Sequence, residues 1–125
     1  MARGVRWSVV RKLALSFPGV SEGTSYGHPA FLLDGKFFSR FNEEEQGLVV
    51  HAEPELRDTL LEGKPGTYFT TDHYRGYPAL LVRLPRVSHA ELTALYETSF
   101  RARATKKRIA EYDGARAKPR RKTSR

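Results

Sequence analysis

Between Ala30 and Phe41 the chain carries two apolar runs separated by Asp34-Gly35. Asp-Gly suits the positive φ angles of a two-residue type I′ turn, so the segment predicts an antiparallel hairpin. The register pairs Leu33 with Lys36, Leu32 with Phe37, Phe31 with Phe38 and Ala30 with Ser39. One face then carries Leu32, Phe37 and Phe41. The other carries Phe31, Leu33, Phe38, Lys36 and Arg40. This second face is too apolar to lie in water along its whole length. A helix of this chain, a partner subunit or a ligand must cover part of it.

The flanking sequence supplies the other elements. Val9/Val10, Leu13/Ala14 and Phe17 recur at helical spacing, predicting a helix from Val5 to Phe17 that Pro18-Gly19 ends. Ser21 to Gly27 reads as a polar loop. Glu43-Glu44-Glu45 lies in a solvated loop, and Leu48 to Ala52 is a short strand. Pro54 opens a second helix with a Leu56, Leu60, Leu61 stripe, stopped by Gly63-Lys64-Pro65-Gly66. Thr67 to Thr71 and Ala79 to Leu84 are strands. Ser88-His89-Ala90-Glu91 is a capping-box pattern. The helix it opens is expected to reach about Tyr112, where Asp113-Gly114 breaks it. The order α-β-β-β-α-β-β-α predicts a single α+β domain over 1–112, a mainly antiparallel sheet with helices on one face. Residues 113–125 are basic, lack large apolar side chains and are expected to be disordered.

Charge is divided unevenly. Residues 1–100 hold eleven Lys/Arg and twelve Asp/Glu, whereas residues 101–125 hold eleven Lys/Arg and only Glu111 and Asp113. The folded part is near neutral and the basic character sits at the C-terminal end, where any phosphate-binding argument must start. With no cysteine, disulfides and thiolate metal sites are excluded. No apolar run is long enough to span a membrane, and a cytoplasmic location is the expectation.

The densest chemistry lies in Phe69-Thr70-Thr71-Asp72-His73-Tyr74-Arg75-Gly76-Tyr77-Pro78. Its end has an echo: Gly76-Tyr77-Pro78-Ala79 repeats the pattern of Gly27-His28-Pro29-Ala30. In each, Pro forces the preceding ring-bearing residue into extended backbone and Gly allows a sharp turn. Two strands are entered the same way, each with a ring at its mouth, and the two mouths are expected to meet in space.

Several motifs together resemble the MmcQ/YjbR-like family: Leu15-Ser16-Phe17-Pro18-Gly19-Val20, Ser25-Tyr26-Gly27-His28-Pro29-Ala30-Phe31, Gly35-Lys36-Phe37-Phe38, and Phe69-Thr70-Thr71 with His73-Tyr74-Arg75-Gly76-Tyr77-Pro78. The resemblance spans roughly residues 5 to 110. It implies a compact CyaY-like or secretion-chaperone-like α+β fold. It also implies DNA binding through a double wing of β loops, and it implies no catalytic activity.

Three groups of residues are candidates for contact with nucleic acid. Tyr26, His28, His73, Tyr74, Arg75 and Tyr77 would place rings against bases or sugars and cations against phosphate. The bland alternative is that these rings plug the end of the core, with Arg75 paired to Asp72. Lys36 and Arg40, alternating with Phe38, would form a wing; otherwise they are charges that blunt a sheet edge. Lys106, Lys107 and Arg108, with the tail, would bind phosphate nonspecifically, or merely solubilise the chain. His51, Asp72 and His73 lack metal-ligand spacing, and Thr70-Thr71 has no identifiable activating base, so no catalytic residue, metal or cofactor is expected. The expectation is a non-enzymatic DNA-binding protein with little sequence selectivity. The alternative is a protein- or small-ligand-binding module that uses the apolar hairpin face and the Tyr/His loops, with a protein partner or a second copy among its occupants.

Overall fold

The computed structural model describes residues 4–25, 27–43, 46–74 and 76–123, with side chains to residue 115. In chain order the elements are α1 (Trp7–Leu15), β1 (Val20–Ser25), β2 (His28–Leu33), β3 (Lys36–Asn42), β4 (Gly47–His51), α2 (Pro54–Gly63), β5 (Tyr68–Phe69), β6 (Ala79–Val82), α3 (His89–Arg103) and α4 (Lys106–Thr123). The strands form one antiparallel sheet in the order β1-β2-β3-β4-β6-β5. All four helices contribute to a single core on one face of it. The chain is α+β, as expected.

Two local signals act as the sequence predicts. Asp34 and Gly35 take φ of +49° and +85° in the β2–β3 turn. Ser88 Oγ accepts from the Glu91 amide while the Glu91 carboxylate accepts from the Ser88 amide, a complete capping box at the start of α3.

Residues 21–25 of the expected loop at Ser21 to Gly27 belong instead to strand β1, paired along its length with β2. Its side chains are polar because it is an edge strand, so it has no apolar alternation to read. It lies close to its neighbour through Gly23, where an added Cβ would sit 2.8 Å from a Leu32 methyl.

The hairpin register departs from expectation after two pairs. Leu33 faces Lys36 and Leu32 faces Phe37 as predicted, but Phe31 then faces Ser39 and Ala30 faces Arg40. Phe38 is therefore an extra residue on β3, a β-bulge. Phe38 and Ser39 both belong to the helix side: Phe38 lies in that core, and the Ser39 hydroxyl bonds the α3 residue Tyr96. Arg40 is thrown to the opposite face, so Lys36, Phe38 and Arg40 do not form one ribbon face. The apolar face that needed a cover is covered by this chain: Trp7 stacks on Phe31, and Phe17 and Tyr96 pack on Phe38.

The long C-terminal helix is also redistributed. It breaks at Ala104, whose backbone is extended, and restarts at Thr105, whose hydroxyl accepts from the Arg108 amide as an N-cap. Asp113-Gly114 does not stop α4. Glycine in a helix costs only about 1 kcal/mol against alanine, and the Asp113 carboxylate is held by Arg101. The change of direction packs Ile109 and Tyr112 on the core and carries Arg108 to Asp34, which it grips with two guanidinium nitrogens.

Candidate functional site

The sheet face away from the helices has a smaller core of its own. Val49, Leu81 and Ala79 project there from β4 and β6, with Phe37 and Phe69 beside them. Period-two alternation puts Val49 and His51 on this face, and pairing adds Arg40 opposite Val49 and Ala79 opposite His51. The loop after β5 folds back across it. Two turns shape that loop, the Tyr74 amide donating to the Thr71 carbonyl and the Tyr77 amide to the Tyr74 carbonyl, with Gly76 at φ +91°. Arg57 of α2 donates to the Tyr77 carbonyl and secures the far end.

Tyr74 is the hub of this cover. Its ring is 7% exposed, and its hydroxyl accepts from Arg40 Nη2 at 2.8 Å and from Asn42 Nδ2 at 3.1 Å. Arg40 is itself only 8% exposed. His73 stands edge-on to Tyr74, with ring centroids 4.7 Å apart. Tyr77 projects freely at 59% exposure.

Around this hub lies a pocket of about 870 Å³. His28 and Ser25, across the turn where Gly27 takes φ +80°, form one wall; His73, Tyr74, Tyr77 and Pro78 form another. The two repeated Gly-X-Pro-Ala segments thus meet at one cavity, although their strands are not neighbours. Phe37, Val49 and Ala79 give it an apolar floor. Arg40, His51 and Arg103 supply polar groups, and Glu43 stands exposed at the edge.

His51 is held between opposite charges. Its Nε2 lies 2.9 Å from Glu53 Oε2, and its Nδ1 lies 3.4 Å from Arg103 Nη1. A carboxylate only accepts and a guanidinium only donates, so Nε2 carries the proton, Nδ1 is bare and the ring is neutral. Burial pushes its pKa below the ordinary 6.5; the Glu53 hydrogen bond opposes this and the Arg103 charge reinforces it. The unfolded chain therefore takes up a proton at higher pH than the folded one. The stabilisation is full above 6.5 and is lost as pH falls from there through the lower folded value. Thermal melts at about pH 7.5 and 5.5 should show a smaller acid loss in His51→Gln than in the natural chain. Parallel losses in the two proteins would refute this assignment.

Of the residues singled out from sequence, His28, Arg40, His73, Tyr74 and Tyr77 come together at the pocket. Lys36 does not: it is exposed beside the β2–β3 turn, at the other end of β2 from His28. Lys106, Lys107 and Arg108 lie on α4, which packs on the helix side. Tyr26 and Arg75 fall outside the described residues. The polar pocket residues that were not among the contact candidates are Ser25, Asn42, Glu43, His51 and Arg103.

Fold and site define a small α+β protein whose open sheet face carries a ring-lined pocket beside the loop that follows β5. The chain belongs to the YjbR family, whose model matches residues 15–102. A 54-residue stretch is 38% identical to uncharacterized protein Mb2600 of Mycobacterium bovis and to uncharacterized protein Rv2570 of Mycobacterium tuberculosis, covering 43% of this chain and 42% of each relative. The match thus spans less than half the length of these curated relatives. No solved structure matches the chain. Among the described residues no helix is long and apolar enough to cross a membrane.

Proposed function

We propose that the chain is a non-enzymatic binding module that holds a small organic molecule in the pocket on the open sheet face. The observation that carries this reading is the convergence of both Gly-X-Pro-Ala segments on one cavity. Its volume of about 870 Å³ lies in the range of small-molecule sites, about 300–1,000 Å³. Its lining also has the composition of such sites, an apolar floor with a few polar groups that fix orientation. The apolar hairpin face is already buried by α1 and α3, which removes it as a docking surface for a partner.

Blocking the pocket tests the reading. Ser25 ends an edge strand at the pocket wall, where a larger side chain has solvent to one side. A ligand-observed NMR screen of aromatic fragments should give hits with the natural chain that disappear in Ser25→Trp. Hits that persist in the variant would place binding elsewhere and refute the proposal.

A second reading, DNA binding, is favoured by the concentration of charge at the C-terminal end. Lys106 and Lys107 are exposed on α4, whereas Arg108 is engaged by Asp34 and Glu111. In this reading contact is with phosphate and has little sequence selectivity. Lys106→Glu/Lys107→Glu should then weaken duplex binding and flatten its salt dependence by about two phosphate contacts, while Ser25→Trp leaves both unchanged. Unaltered binding in the double variant would remove α4 from the model.

A further inference from the structure

We infer that the pocket's occupant is a small organic oxyanion, a carboxylate or a phosphate monoester on an apolar or aromatic body, received by the guanidinium groups of Arg103 and Arg40. This rests on the small-molecule reading above and names the ligand's chemical class.

Burying a cation is costly unless an anion or a full set of acceptors compensates it. Two guanidinium groups line this pocket, and among the described residues neither forms an ion pair with a carboxylate. Arg11, Arg57, Arg101 and Arg108 each grip Asp or Glu, and Arg83 lies over the Phe69 ring. Arg40, at 8% exposure, donates instead to the neutral hydroxyl of Tyr74. Arg103 directs Nη1 to the bare nitrogen of a neutral His51, and its Nε–H is buried with no protein acceptor. A buried donor without an acceptor is a defect in a finished core. Arg103 also lines the cavity, and an anion held there would compensate its charge.

The geometry of the group narrows the choice. A guanidinium offers Nε–H and an Nη–H side by side, which matches the two oxygens of a carboxylate or phosphate. His51 holds Arg103 in place from the protein side through Nη1. Val49 and Ala79 on the floor, with the exposed Tyr77 ring at the mouth, suit an apolar or aromatic body. Glu43 is the one carboxylate among the described lining residues. It is exposed at the edge, where water screens it from the guanidinium groups.

Matched probes separate this inference from the reading beneath it. Benzoate, phenyl phosphate and the neutral benzamide are titrated into the full chain and followed by protein amide shifts. The oxyanions should bind at least about tenfold more tightly than benzamide, the factor expected for a charged hydrogen-bonded pair. Arg103→Met should abolish that preference, and Arg103→Lys should restore it in part because charge returns without the paired donors. A melting temperature for each variant shows that it is folded, and Arg40→Met provides a second arm if Arg103→Met is not. Benzoate favoured over phenyl phosphate assigns the carboxylate, and the reverse order assigns the phosphate ester. Equal binding of benzamide and benzoate would overturn the anion class and leave the small-molecule reading standing. A preference that survives both Arg103→Met and Arg40→Met would overturn the assignment to these residues. If no aryl probe moves pocket resonances, the reading and the inference fall together.

Discussion

Phe17→Ala is expected to cost about 3–5 kcal/mol of unfolding free energy, the range for removing a buried aromatic ring. Phe17 is 2% exposed and meets four other rings. Its centroid lies 6.0 Å from Phe38, 6.3 Å from Tyr96, 5.2 Å from Phe100 and 5.1 Å from Tyr112. These partners come from β3, α3 and α4, so one side chain ties the sheet to both C-terminal helices. Domains of this size are stable by only about 5–15 kcal/mol, so the loss would be a large fraction of the total. Urea denaturation measures it directly. Amide exchange across 106–112 should accelerate in the variant, because Tyr112 loses the ring it stacks on. A loss below about 1 kcal/mol would mean that the core closes over the gap and that this cluster does not anchor α4.

Tyr74→Phe isolates the polar part of the pocket roof. The ring stays, so the apolar contact with Val49, Ala79 and Leu81 is retained. The hydroxyl goes, and with it the acceptor for Arg40 and Asn42. Leaving a buried donor unsatisfied costs about 1–3 kcal/mol, and more when the donor is charged. Tyr77→Phe is the control: its ring is 59% exposed, and a surface change of this kind should stay within about 0.5 kcal/mol. Denaturation midpoints for the two variants should therefore differ clearly. If they coincide, the Arg40–Tyr74 contact does not hold the roof, and the roof depends on ring packing alone.

What could be read from the sequence was mostly local. The Asp34-Gly35 turn and the Ser88/Glu91 capping box act over four residues or fewer, and both form as the residue types dictate. The convergence of His28 and Tyr77 was legible only because the chain repeats itself. Each Gly-X-Pro-Ala segment fixes its own backbone, and the sheet then places both on one side. Strand β1 was not legible, since an edge strand with polar side chains lacks the periodic signal that marks a strand. The bulge at Phe38 was hidden for a different reason. It exists because Phe38 and Ser39 both find partners on the helix side, a demand set by Phe17, just after α1, and by Tyr96 of α3. One inserted residue then reverses every side chain beyond it, which is why Arg40 moves from an exposed ribbon to the pocket. Arg103 and His51 meet across fifty-two positions of sequence, and no local pattern could pair them. His51 alone had a usable signal, its alternation with Val49. Arg103 read as one more cation in a basic C-terminal stretch.

The measurement that tests the central claim most directly is where a bound molecule sits. Phenyl phosphate, held by the natural chain and examined by intermolecular nuclear Overhauser contacts, should show its ring protons close to the Tyr77 and His28 rings and to the Val49 methyl groups. Contacts instead to Leu56, Leu60 and Leu95, which line a groove between α2 and α3, or to the side chains of α4, would contradict the account. Binding would then belong to the helical side of the molecule.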